Sequence, residues 1–66
     1  MMDERVMRLL FDKNEARRKE LAEHLASGGA KSFDEYKEVV GVIRGLLQAN
    51  QNIEDLMERV KESDDE

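Results

Sequence analysis

The chain has no cysteine, proline or tryptophan among its 66 residues, and it has a single histidine. Without cysteine there can be no disulfides, and a reducing compartment such as the cytosol is compatible with that composition. His24 by itself cannot build a zinc site, so we expect no metal and no other cofactor. A chain this short usually needs disulfides, a metal, oligomerisation or very regular helix packing to be stable. Helix packing and a partner chain are the options that remain.

Long apolar runs are missing as well, and we expect no signal peptide. The longest apolar run is far shorter than the ~20 residues that span a bilayer. The chain opens with Met1-Met2-Asp3-Glu4, which is acidic, whereas a signal peptide is basic and then apolar. We therefore expect a soluble protein that is not secreted by a signal peptide and has no membrane partner.

Positive charge is scarce in the second half of the chain. Residues 1–31 carry seven basic and six acidic side chains, a net of +1, whereas residues 32–66 carry four basic and ten acidic ones, a net of −6. An acidic surface repels a phosphate backbone, so nucleic acid is an unpromising partner.

Charged residues make up 41% of the chain, a composition typical of long helices and coiled coils. Gly28 or Gly29 can adopt the left-handed conformation that ends a helix. Ser32 and Glu35 then form a Ser-x-x-Glu capping box that starts the next one. We predict a single all-α domain over residues 1–66, an antiparallel two-helix hairpin with coiled-coil character. Its parts are helix 1 over about 3–26, a turn over 27–32, helix 2 over about 33–62, and a frayed or disordered acidic tail over 63–66.

The second predicted helix has apolar residues at heptad spacing. Seven of eight seam positions are apolar, as a coiled-coil seam requires: Tyr36, Val39, Ile43, Leu46, Asn50, Ile53, Met57 and Val60, with Asn50 the exception. Asn50 is either a buried polar residue that fixes register or oligomer number, or a half-exposed residue in a polar run. The apolar face is wider than one seam, because Val40, Val42, Leu47, Ala49 and Leu56 flank it. At 100° per residue the face covers roughly half the helix, more than one partner helix can cover.

The two predicted helices do not match in the middle of the hairpin. Residues pair when their numbers sum to about 60, an estimate from the geometry of a short helix–helix connection. Met7 then meets Ile53, but Asn14, Arg17 and Arg18 fall opposite the most apolar stretch, residues 39–47. Arginine stems cover only part of such a surface. We therefore predict that this stretch is buried mainly against another chain.

The predicted interface has three kinds of residue. The hydrophobic contact would be made by Val39, Val40, Val42, Ile43, Leu46 and Leu47, with the seam residues Asn50 and Ile53. A small-residue ridge for close helix approach would be Gly41, Gly45 and Ala49, unless both glycines are tolerated defects on the solvent side. Polar contacts at the margin would be Arg17, Arg18 and Arg44.

No motif in the sequence indicates catalysis. A nucleophile–histidine set would need His24 beside Ser27 or Ser32, at a hairpin turn that offers no pocket for a substrate. Gly28-Gly29 is a helix stop and is not followed by the Gly-Lys-Ser/Thr of a phosphate-binding loop. We expect a protein that is not an enzyme and has no small-molecule substrate.

Residues 16–56 carry a series of motifs: Ala16-Arg17-Arg18, Glu20-Leu21-Ala22, a small-residue turn over 27–30, Glu35-Tyr36, the Gly-x-Ile-x-Gly-Leu run of 41–46 and the late Ile-x-Asp-Leu of 53–56. In these features the segment resembles a group of short proteins of tailed bacteriophages. These motifs are structural, not chemical. The resemblance implies a phage protein, a small virion or head-assembly component, located in the virion or the host cytoplasm.

Three hypotheses about function remain open on the sequence. The first is a non-enzymatic assembly protein that binds copies of itself or a larger capsid, portal or tail protein. The second is a small acidic inhibitor or regulator of a host protein, and the third is a short nucleic-acid-binding module. The helices could also swap between chains in an open arrangement instead of closing a hairpin within one chain.

Overall fold

The chain forms an antiparallel helical hairpin in the computed structural model, which describes the backbone of residues 3–64 and the side chains of residues 3–61. Helix α1 spans Glu4–Ala26 and helix α2 spans Phe33–Asp64. The predicted all-α hairpin is confirmed, and it closes within one chain. Helix α2 continues two residues beyond the predicted end, so the segment assigned to the tail is helical as far as Asp64. Residues 65–66, the rest of that tail, lie outside the described residues.

Local side-chain and backbone hydrogen bonds set the ends of α1. The Asp3 carboxylate accepts a hydrogen bond from the Val6 amide at 2.9 Å, which caps the first turn. At the other end Gly28 has a φ of +80°, the left-handed conformation that glycine adopts without strain. The Gly29 amide donates to the His24 carbonyl at 2.8 Å and the Gly28 amide to the Leu25 carbonyl at 3.1 Å. This pair of bonds is the Schellman motif, so Gly28 is the glycine that ends α1.

The start of α2 uses the predicted capping pair with one change. The Glu35 amide donates to the Ser32 hydroxyl at 3.1 Å, as the Ser-x-x-Glu pattern predicts. The Glu35 carboxylate accepts from the amide of Lys31, also at 3.1 Å, one residue earlier than in the standard capping box. The first bond satisfies a backbone donor that the first turn of a helix leaves unpaired, and the second ties the residue before the N-cap to that turn.

The hydrophobic core lies at the open end of the hairpin, away from the turn. Its buried side chains are Met7 from α1 and Ile53 and Met57 from α2, and Phe11 and Val60 pack against them. Met7 clusters with Met57 as well as with Ile53, and Asn14 bonds Asn50, about one helical turn beyond its predicted place opposite residues 43–47. The register predicted from the turn is therefore right only to within one helical turn. The hairpin measures 52 × 17 × 15 Å, so most side chains lie near solvent. Over the described residues, neither helix has a stretch long and apolar enough to span a membrane.

Candidate protein-interaction surface

A cluster of polar side chains joins the two helices near the middle of the hairpin. Asn50 of α2 is 4% exposed and points at α1. Its amide nitrogen donates to the Phe11 carbonyl at 3.2 Å and to the Glu15 carboxylate at 3.1 Å. Its amide oxygen accepts from Asn14 Nδ2 at 2.9 Å. Three bonds therefore satisfy this buried amide on both of its polar atoms.

Glu15 links this cluster to an arginine on its own helix. Arg18 donates to the Glu15 carboxylate through Nε at 3.1 Å and Nη2 at 2.9 Å, a bidentate pair. The hydrogen bonds from Arg18 lower the pKa of Glu15 below its ordinary value; desolvation opposes this, and the Asn50 amide adds to it. The same pair raises the pKa of Arg18. Glu15 is therefore an ionised acceptor at neutral pH.

The polar cluster corrects part of the predicted interface. Of the two interpretations of Asn50, the buried one is right. Asn50 and Ile53 lie in the contact between the two helices of one chain, and Arg18 pairs with Glu15 of the same chain. From the sequence, the polar residues of α1 looked like poor partners for α2. Only the tertiary packing shows that they satisfy the buried Asn50 amide of α2. A buried polar group with a fixed set of partners disfavours other registers of the two helices.

The predicted apolar interface divides into two groups in the structure. One group is half-buried: Val39, Val40, Ile43, Leu46 and Ala49. The other stays in contact with water, with Val42 50% exposed and Leu47 43% exposed. No side chain between residues 39 and 49 is buried, so the hairpin alone does not cover this stretch.

The two glycines of the predicted ridge face away from α1. A Cβ atom at Gly41 or Gly45 would meet no other part of the fold within 4 Å. Close packing inside the hairpin therefore does not require glycine at either position. Approach of another helix and a tolerated defect both remain predictions.

Of the remaining predicted polar contacts, Arg17 and Arg44 lie on the surface. Arg17 forms an exposed ion pair with Glu20 at 3.3 Å within α1, and Arg44 is exposed on α2. Such surface pairs contribute little to stability. Both guanidinium groups can be reached by another molecule.

Several exposed apolar residues were not among the predicted contacts. Val6, Leu9 and Leu10 on α1 and Leu56 on α2 are 42–58% exposed, and Phe33 and Tyr36 form an exposed stack at the start of α2 with ring centroids 6.4 Å apart. Spacing had placed Leu56 on the wide apolar face, seven residues after Ala49 and fourteen after Val42, although it was left out of the predicted contact. The α1 residues give no such signal, because their helix has a less regular apolar pattern.

Ser27 and His24, which a catalytic set would need, are instead joined by a hydrogen bond at the end of α1. The Ser27 hydroxyl donates to the His24 backbone carbonyl at 3.1 Å, not to its imidazole ring. His24 borders a shallow open groove with Arg17, Glu20, Leu21 and Val39. Among the described residues no group of three or more His, Cys, Asp or Glu side chains could hold a metal ion.

Comparison with known proteins adds no relative. No protein-family model, curated protein or solved structure matches this chain. The resemblance to short phage proteins therefore stays a prediction, and the physical properties of the surface carry the argument about function.

Proposed function

We propose that this protein is a non-enzymatic assembly protein that acts by docking the exposed apolar sides of α2 onto copies of itself or onto a larger protein. One observation carries the proposal. In the described part of the chain, only three apolar side chains are buried, whereas eight large ones are exposed, namely Val6, Leu9, Leu10, Phe33, Tyr36, Val42, Leu47 and Leu56. Exposed apolar surface that both helices contribute is typical of protein–protein contact sites.

Stability gives a second reason for a partner. Below about 70–80 residues, one hydrophobic core rarely supplies more than about 3–5 kcal/mol. Here even Met7, the most buried apolar residue, is 4% exposed, and no described side chain falls below 2%. A partner that covers Val42, Leu47 and their neighbours would add the apolar burial that the hairpin lacks.

On the resemblance of residues 16–56, we further propose that the assembly belongs to a phage particle. The protein would then decorate or connect a capsid, portal or tail component. Detection of the chain by mass spectrometry in purified particles of its phage tests this proposal, and its absence from them would contradict it.

Light scattering and circular dichroism over a range of chain concentrations test the docking function. We expect either a helical oligomer, whose unfolding midpoint rises with concentration, or a monomer of low helicity that needs its partner in order to fold. A strongly helical monomer with a concentration-independent midpoint would contradict the proposal, because such a chain has no need of a partner.

A further inference from the structure

We propose, building on the docking function, that the partner is a second copy of the chain. It packs its α2 antiparallel against the first α2, with a two-fold axis at Ala49. The contact is one stripe of α2, which we name the Val42–Leu56 face: Val42, Gly45, Ala49, Asn52 and Leu56. Its spacing alternates between three and four residues, the repeat that coiled-coil packing requires. At 100° per residue the five positions fall within about 80° of the helix circumference.

The face is self-complementary under a two-fold axis. An antiparallel pair centred on Ala49 places Val42 against the partner's Leu56, and Leu56 against the partner's Val42. These side chains are 50% and 51% exposed in the single hairpin. A two-fold contact uses the same patch twice, so it closes as a dimer instead of growing into a filament.

Charge at the two ends of the face also favours this pairing. Glu38 lies one turn before Val42, and Arg59 lies one turn after Leu56. Both are exposed, and among the described residues neither forms an ion pair within the chain. The antiparallel arrangement brings Glu38 beside the partner's Arg59 and, by symmetry, does so twice. A parallel pair would instead place like charges side by side.

Helix α1 extends the apolar surface on the same side of the hairpin. Val6 directly precedes the core residue Met7, and Leu56 directly precedes the core residue Met57. A step of one residue back along a helix turns the side-chain direction by 100° about the helix axis. Because the two helices run antiparallel and face each other, this backward step from a core residue leads to the same side of the hairpin on both helices.

A step of one residue forward from the same core residues leads to the other side of the hairpin, which is charged. Arg8 and Glu58 directly follow the same two core residues, and they border one groove with Glu4, Glu54 and Lys61. At the open end, one side of the hairpin is therefore apolar and the other is ionic. This difference selects the Val42–Leu56 face as the one to be covered.

The surface area fits a contact of this kind. The hairpin has 5433 Å² of accessible surface, whereas a compact folded chain of 7.7 kDa has roughly 4300 Å². The excess of about 1100 Å² is comparable to the roughly 800 Å² per partner that a standard interface buries. A standard interface with a second copy would therefore remove most of this excess.

Cysteine cross-linking tests the axis directly, because the natural chain has no cysteine that could interfere. Ala49→Cys lies on the proposed axis and should form a disulfide-linked dimer under mild oxidation. The exposed neighbour Gln48→Cys, turned away by 100°, is the matched control. We expect the Ala49→Cys variant to cross-link at least about tenfold faster, because a disulfide forms only between Cα atoms within about 7 Å. Equal rates would overturn the proposed axis.

Sedimentation equilibrium on the full chain tests the contact and its charges. We expect twice the chain mass for the wild type and about tenfold weaker association for Glu38→Arg and for Arg59→Glu, since each change places like charges together twice. The double variant Glu38→Arg/Arg59→Glu should restore association, and Gln51→Glu, which adds a negative charge at an exposed position outside the face, should leave the dimer mass unchanged. No rescue by the double variant would overturn the antiparallel pairing.

The outcomes also separate this inference from the docking function. A monomer at all concentrations overturns the second copy as the partner. If that monomer has low helicity, docking onto a larger protein stands; if it is strongly helical and stable, the docking function fails as well.

Discussion

The buried amide of Asn50 yields the sharpest prediction about stability. Asn50→Ala removes three hydrogen bonds, of 2.9, 3.1 and 3.2 Å, that connect the helices. A hydrogen bond contributes about 1 kcal/mol net to stability, and a bond to a charged group contributes more. Asn14 and Glu15 are only half-buried, so water replaces part of what they lose. We expect the free energy of unfolding to fall by about 2 kcal/mol.

That loss is large for a chain of this size. At about 0.05–0.15 kcal/mol per residue, the whole fold is worth roughly 3–10 kcal/mol. Urea unfolding followed by circular dichroism measures the change, and with an m-value near 1 kcal/mol/M the midpoint should move by about 2 M. All variants are compared at one chain concentration, because association shifts the midpoint.

Gln51→Ala is the matched control for Asn50→Ala. Gln51 is exposed on α2, lies outside the Val42–Leu56 face and makes no side-chain hydrogen bond among the described residues, so its loss should change stability by less than about 0.5 kcal/mol. A double-mutant cycle between Asn14→Ala and Asn50→Ala should return a coupling energy of about 1 kcal/mol. If Asn50→Ala were as mild as Gln51→Ala, or the coupling were zero, the polar cluster would not hold the helices together.

Three further predictions concern single local interactions, each measured by unfolding with circular dichroism. The Arg18 bonds lower the pKa of Glu15 in the folded chain, so its contribution is complete above the ordinary carboxyl value of 4.5 and is lost as pH falls through the folded pKa. Glu15→Gln should therefore destabilise the fold at pH 7 and make its stability less dependent on pH in acid; an unchanged acid profile would refute this. Gly28→Ala should destabilise by about 1 kcal/mol, because φ is +80° although the space for a Cβ is open; no loss would mean that the turn relaxes. Ser32→Ala should also destabilise by about 1 kcal/mol through loss of the Glu35 amide cap, and a neutral effect would show that the cap is dispensable.

The polar segment of α1, which the sequence places opposite the apolar stretch of α2, has a structural role that the sequence does not show. Asn14 and Arg18 looked like polar residues opposite an apolar stretch, with nothing to pair with on α2. In the fold, Asn14 bonds Asn50 directly, and Arg18 holds the carboxylate of Glu15 that accepts from the same amide. The polar segment of α1 thus joins the helices where apolar packing is thin. The apolar stretch of α2 still lacks full cover, because this cluster does not reach Val42 or Leu47.

Local sequence signals determined the secondary structure and the topology. Asp3, Gly28 and Ser32 set three helix ends through bonds to residues at most five positions away, so a short window of sequence contains the information. The short turn then determined the antiparallel arrangement and, to within about one helical turn, the register, since Met7 clusters with Ile53 but Asn14 bonds Asn50. The end of α2 was less predictable, because its acidic residues carry no stop signal.

Only the tertiary structure decided which side chains are covered. Asn50 is buried because Asn14, 36 positions earlier, supplies a donor at 2.9 Å. Heptad spacing could not choose between a buried and a half-exposed amide, since that depends on atoms of the other helix. The same reason separates Val42 and Leu47 from Val39 and Ile43, which are equally apolar in the sequence. Periodicity identifies an apolar helix, whereas packing against α1 determines which part of it remains available to a partner.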